Sequence, residues 1–193
     1  VRIASLFRGI TDQGIFERDV RPIFLKLKKE WGDIPFVVIN DGEVTALAGS
    51  MSMGANAVLG ISMGTSLAAG YCTPGGRITP WINELAFAPV DYRDDAPQDE
   101  WSGDAGCGVQ YFSQQAVARL APGAGFNFGD MPFPEQLLEV QKAMEKGHKG
   151  ARKIYQSIGI YLGYTIAHYA NFYHIENLLI LGRVTSGQGG ELI

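Results

Sequence analysis

Residues 36–49 read FVVINDGEVTALAG. Four apolar residues, Phe36 to Ile39, stop at Asn40-Asp41-Gly42, and residues 42–52 are rich in Ala and other small residues. The pattern predicts a fully buried strand over 34–39, a turn, and a helix. A carboxylate at that junction has two readings. Asp is a good helix N-cap, because its oxygen accepts the orphan N–H groups of the first turn. A carboxylate at the carboxyl end of a buried strand also stands where α/β sheets bind ligands.

Outward from this stretch, the order of elements follows from periodicity. Upstream, Ile15, Val20, Ile23, Phe24 and Leu27 make a helical stripe within 13–31, with Lys26, Lys28 and Lys29 near its end. Pro22 is least costly in a first turn, so the helix is expected to start near Arg21 and to stop at Gly32-Asp33. The first residues, Val1 to Leu6, read as strand or loop. Downstream, Val58, Gly60, Ser62 and Gly64 interleave with Leu59, Ile61 and Met63, which predicts a strand, a tight Gly64-Thr65-Ser66 turn and a second strand to Cys72. Thr73-Pro74-Gly75-Gly76 is a turn, and Arg77 to Trp81 reads as a returning strand.

Residues 91–106 are polar and acidic, hence a loop, and a helix is expected from Cys107 to Leu120. A second loop covers 121–133, a helix 134–144, and a long helix 149–173 in which Gly159 and Gly163 share a face. Residues 177–182 read as another buried strand ending at a glycine. Strands alternating with helices around a hairpin predict an α/β protein with a mixed sheet.

Composition narrows the function classes. With 46% apolar and 19% charged residues among 193, a sizeable core is affordable. A formal net charge of −4 argues against nucleic-acid binding through this region, which needs a basic face. Apolar runs break before the roughly 18 residues of a membrane span, and the two cysteines, Cys72 and Cys107, are too few for a disulfide framework. The expected setting is the cytoplasm. His148, His168 and His174 show no metal-ligand spacing, and no Ser-His-Asp or Cys-His arrangement can be assembled.

Four short motifs remain. Asn40-Asp41 is the first. Met63-Gly64-Thr65-Ser66 can present unobstructed backbone N–H groups to phosphate oxygens. Asn83-Glu84-Leu85-Ala86-Phe87 sets a carboxylate among apolar neighbours, and Leu181-Gly182-Arg183 ends a strand in glycine. Each also has a plain structural reading as a cap or a turn.

In this order and spacing, over about residues 15–187, the four motifs resemble the ROK family (repressor, open reading frame, kinase) of sugar kinases and sugar-responsive repressors. The resemblance implies an actin/hexokinase-like, ribonuclease H-like α/β fold with flanking helices, present here as a partial chain. It implies that about 1–54 end an N-terminal lobe and about 55–193 form most of a C-terminal lobe. Asp41 corresponds to the family's catalytic base; Asn40, Asp41 and Glu84 correspond to its sugar ligands. Gly64, Thr65 and Ser66 correspond to its second phosphate loop, and Gly182 and Arg183 to its adenosine-contacting segment. The implied activity is phosphoryl transfer from ATP with Mg to a hexose or amino sugar. A non-catalytic sugar sensor or regulator is the alternative, and a plain structural domain a third reading.

The departures are as specific as the matches. Phe87 stands where the family has a zinc-binding His, and Glu100 and Ser102 stand where it has two of three Cys; only Cys107 is kept. One thiol cannot supply a tetrahedral N/S set, so no zinc is expected and Phe87 is expected to pack against the 91–106 loop. Ser66 replaces a glycine, and Arg183 replaces the second glycine of a Gly-Gly pair. The family's first phosphate loop, Asp-x-Gly-x-Thr, has no counterpart, so this chain alone is not expected to be a competent kinase. The Gly159–Gly163 face and the aromatics near 126–133 are candidates for burial in a homodimer.

Overall fold

A computed structural model describes residues 9–193; the reading of Val1–Leu6 lies outside them. The chain forms two compact units that divide between Ile39 and Asn40.

In the first unit, α1 (Gln13–Ile15) is capped by Asp12, whose side chain accepts from the Ile15 N–H at 3.0 Å. It continues through a π-helical turn, Phe16–Val20. The helix then breaks at Arg21-Pro22 and resumes as α2 (Ile23–Glu30), with Pro22 at the N-cap rather than inside the first turn. The main departure from expectation follows. Residues 34–39 form no strand and pair with nothing among the described residues. Val37 is 80% and Val38 55% exposed. An apolar run is read as buried because burial is favourable, but a strand is defined by its pairing partner, and all three strands of the sheet lie in the other unit.

The second unit is built on a mixed sheet of β1 (Val58–Met63), β2 (Leu67–Cys72) and β3 (Asn177–Leu181) in the order β2-β1-β3. β1 and β2 are an antiparallel hairpin in which Met63 faces Leu67, and β1 and β3 are parallel, with Ser62 facing Leu181. The alternation along β1 separates two faces. On one lies α3 (Asp41–Met53), which crosses all three strands. A Cβ on Gly42 would strike the Ala69 carbonyl, Gly60 sits under Ala46, and a Cβ on Gly49 would meet Leu179. Because α3 packs here, residues 41–53 belong with this unit and not with the residues up to 39.

The other face carries Leu59, Ile61 and Met63 into the core, closed by α4 (Gln114–Leu120), α5 (Phe133–Glu145) and α6 (Lys149–Tyr169) through Val117, Val140, Ile154, Ile158 and Leu162. Each such buried aliphatic side chain is worth about 1.5–3 kcal/mol. β2 returns the chain to the end of the sheet where β3 begins, and these helices join β2 to β3 while covering this face. The helix expected over 107–120 is split: a 3-10 turn, Gly108–Gln110, precedes α4, which Ser113 caps. Arg77 to Trp81 contributes only a single bridge, Cys72 to Ile78, since Pro80 lacks an N–H to donate. On α6, Gly159 admits the Leu192 backbone closely, whereas Gly163 faces open space. Among the described residues no helix is long and apolar enough to cross a membrane.

Candidate functional site

The Asn40-Asp41 junction is a helix start, and Asn40, not Asp41, is its N-cap. Asn40 has extended backbone angles, and its Oδ1 accepts from the Gly42 N–H at 2.8 Å. Asp41 is the first helical residue, and its Oδ1 shares the same N–H at 2.9 Å. The helix dipole favours carboxylates here. Asp41 is exposed, and its Oδ2 has no hydrogen-bond partner among the described residues. One oxygen is therefore anchored, while the other is open to a ligand.

The other end of the Asn40 amide reaches across the fold. Its Nδ2 donates to Glu84 Oε1 at 3.3 Å. Glu84 is likewise exposed, so Asn40 and Asp41 form one surface group, with two carboxylates, together with Glu84, which lies 44 positions from Asn40 in sequence.

A buried layer beneath fixes that group, and the sequence reading missed it. Glu43 is 3% exposed. Its Oε1 accepts from the Asn83 N–H at 3.2 Å and also from the Asn83 side-chain amide. Its Oε2 accepts from the Tyr71 N–H at 3.2 Å. Asn83 in turn donates to Thr79 Oγ1 at 2.8 Å and accepts from the Tyr173 hydroxyl at 2.8 Å. Glu43 lies two residues past Asp41 and Asn83 one residue before Glu84, so the carboxylate ties both halves of the site to β2. A buried carboxylate is tolerable only when so bonded. The available signal was the pairing of an acid with an amide in two segments already singled out.

The glycine motifs converge at the carboxyl ends of β1 and β3. The Gly64 N–H closes the turn on the Ser66 carbonyl at 2.9 Å, and the Gly64 carbonyl accepts from the Gln114 N–H at 2.9 Å. Gly182 has φ +111, and a Cβ there would overlap the Met63 carbonyl, so glycine is required for the segment to turn beside the hairpin. The Val184 N–H donates to Met63 O at 3.0 Å. The N–H groups of Thr65 and Ser66 are unpaired among the described residues, and both residues are exposed. Arg183 is exposed too, with no ion pair among the described residues, and Gln141 on α5 holds its carbonyl at 2.9 Å. Gly42 packs on Ala69, which is roughly 10 Å of strand rise from Ser66. The Asn40–Glu84 group is thus anchored on the middle and open end of β2, through Ala69 and Tyr71, and the glycine motifs lie at the turn end.

The 91–106 loop is held by ring packing and by carboxylate hydrogen bonds. Phe87 stacks on Trp101 at 5.5 Å. Asp91 accepts from Arg93 Nη2 at 2.8 Å and from the Tyr111 hydroxyl, and Asp99 accepts from the Ser102 N–H at 2.8 Å. Arg93 and Tyr111 hold the Asp91 carboxyl well below the usual carboxylate range. Burial, then the Asp91 bond, pushes the Tyr111 phenol up to about 12.

No family model matches the sequence, and no curated protein does. Solved structures do match. A ROK-family transcriptional regulator, a homologue of the Escherichia coli MLC protein, superposes with a TM-score of 0.69 at 23% identity, covering 87% of this chain and 43% of its own. The ROK hexokinase of Thermus thermophilus gives 0.69 at 19%, covering 88% and 56%. A ROK glucokinase of Streptomyces griseus, solved with glucose and AMPPNP, gives 0.60 at 22%, covering 85% and 57%. The fold is the actin/hexokinase-like fold of these ROK proteins, and the chain spans about half the length of each.

Proposed function

We propose that this chain is part of a ROK-like, ATP-dependent sugar kinase acting in the cytoplasm on a hexose or amino sugar. The observation that carries the reading is the hydrogen bond joining Asn40 to Glu84 beside the open oxygen of Asp41. In this reading Asp41 accepts the proton of the attacking sugar hydroxyl. Asn40 and Glu84 hold neighbouring hydroxyls. The free N–H groups of Thr65 and Ser66, with the Arg183 cation, are suited to phosphate oxygens. ATP supplies the transferred phosphoryl group, and Mg2+ accompanies it. Mg2+ at such a site would be carried mainly by the nucleotide phosphates and water rather than by a cage of protein side chains; among the described residues no group of three or more His, Cys, Asp or Glu forms one.

A second reading has a specific basis: the regulator superposes as well as the hexokinase does. In it the same three residues bind a sugar as an effector, and transfer is absent.

The test uses the full-length protein with ATP and a panel of hexoses and amino sugars. The kinase reading expects turnover, and a loss of about 10²–10⁴-fold in kcat for Asp41→Asn. Unchanged turnover in that variant removes Asp41 as the base. Calorimetry that finds sugar binding but neither ATP binding nor turnover selects the sensor.

A further inference from the structure

A groove of about 750 Å3 opens between the 91–106 loop, α4 and the 121–133 loop. None of Asn40, Asp41, Glu84, Gly64–Ser66, Gly182 or Arg183 lines it. The volume is that of a small-molecule site, for which about 300–1,000 Å3 is usual.

Its lining is chemically selective. Five carboxamides face it: Gln98, Gln110, Gln115, Asn127 and Gln136. So do four aromatic rings, Trp101, Phe126, Phe128 and Phe133. Phe126 and Phe128 stack on each other at 5.3 Å, while Trp101 and Phe133 are 52% and 41% exposed. Gln110 is the informative member, since it is only 7% exposed. Its Nε2 lies 2.6 Å from Gln115 Oε1 and 3.4 Å from Asp99 Oδ1, so two acceptors fix that end of the amide as the donor. The opposite end, Oε1, accepts from nothing among the described residues. That oxygen is not fully enclosed, and in the groove wall it is open to a ligand donor. Arg119, over the Tyr111 ring at 4.6 Å, spends Nε and Nη2 on the Gln110 carbonyl and leaves Nη1 unbonded among the described residues.

Charge and polarity decide the ligand class. Asp99 and Glu100 outnumber the single cation, Arg119, which disfavours phosphates and other polyanions. Five amides disfavour a purely apolar guest. Gln110, Gln115 and Gln136 each have one amide end committed, whereas Gln98 and Asn127 have both ends unbonded among the described residues, and such an amide offers a donor and an acceptor side by side, which matches a pair of vicinal hydroxyls. The electron-rich faces of aromatic rings attract the C–H face of a sugar ring. We infer that this groove is a second carbohydrate-binding site, taking a neutral mono- or disaccharide. The inference does not depend on phosphoryl transfer at Asp41.

The experiment titrates the full-length protein, without ATP, with glucose, maltose, cellobiose, lactose and chitobiose, followed by calorimetry and tryptophan fluorescence. Wild type, Asp41→Asn, Trp101→Ala and Phe133→Ala are compared, each checked for folding by circular dichroism. Trp101 also packs on Phe87 in the 91–106 loop, so Phe133→Ala, a half-exposed ring outside that loop, separates loss of a ring from loss of the loop. The expected result is one saccharide that binds wild type and Asp41→Asn alike and is weakened about tenfold or more by each ring truncation. The inference is overturned if none of the five binds up to about 50 mM, the millimolar edge of measurable affinity. It is equally overturned if binding is lost only in Asp41→Asn or is unchanged in both ring variants.

Discussion

Glu43 is the residue on which the site's geometry turns. A carboxylate accepts at every lone pair, and Glu43 is surrounded by three donors: the Asn83 N–H, the Asn83 amide and the Tyr71 N–H. In Glu43→Gln, one of these donors faces an NH2 group. The expected cost is about 1–3 kcal/mol, the desolvation of a buried donor left unpaired, read as a lowered urea midpoint with an unchanged slope. The same variant frees Asn83 and lets the neighbouring Glu84 drift from Asn40, so sugar affinity is expected to weaken even in the folded fraction. Glu43→Ala with the same stability loss but unaltered sugar affinity would show that the network serves folding alone. Nothing in the local sequence marks Glu43 as buried: GEVTALAG reads as an ordinary helix start, and Glu is seldom buried unless paired. Its partner lies forty positions away, a separation that periodicity does not report.

Elements that announce themselves by alternation were legible, and those that need a partner were not. The interleaving of Leu59, Ile61 and Met63 with Val58, Gly60 and Ser62 marked β1, and both the turn at Gly64 and β2 follow as expected. The same reasoning failed over 34–39, where apolar content predicted burial and Val37 is instead 80% exposed. It also overstated Arg77–Trp81, where one bridge stands for a strand. The glycines of the helix–sheet contact were readable only as small residues; their purpose appears once α3 lies on β2. A Cβ on Gly70 would fall 2.1 Å from the Gly42 carbonyl, and one on Gly42 would fall 2.2 Å from the Ala69 carbonyl. Both clashes are with backbone, which cannot rotate away. Gly70→Ala is therefore expected to lift the first turn of α3 at a cost of about 1–3 kcal/mol. Asp41 and Asn40 move with it, so ligand binding falls. Gly163→Ala is the control: nothing lies within 4 Å, and removing a helical glycine stabilises by up to about 1 kcal/mol. Thermal unfolding of the two variants in opposite directions checks the packing.

For the molecule as a whole, acid stability depends on how the long acidic loop is tied to the core. Asp91 joins Arg93 to the buried Tyr111, and Tyr111 packs among the core residues of the helical layer. Arg93 is the largest cause of the low Asp91 pKa, with the Tyr111 hydroxyl next. A carboxyl whose folded pKa is depressed below its unfolded value stabilises fully above the unfolded value, about 3.9. That contribution is lost as pH falls through the folded value. Stability assigned to Asp91 is thus complete at neutral pH and declines only below about pH 4. Asp91→Asn removes the charge at every pH. The variant is expected to be less stable than wild type at pH 7, and the gap is expected to narrow steadily as both are taken below pH 4. Urea midpoints measured at pH 7, 5, 4 and 3 test the sign. A gap that stays constant down the series would mean that the side chain acts through shape and neutral hydrogen bonding. A gap that widens in acid would contradict the direction of the shift.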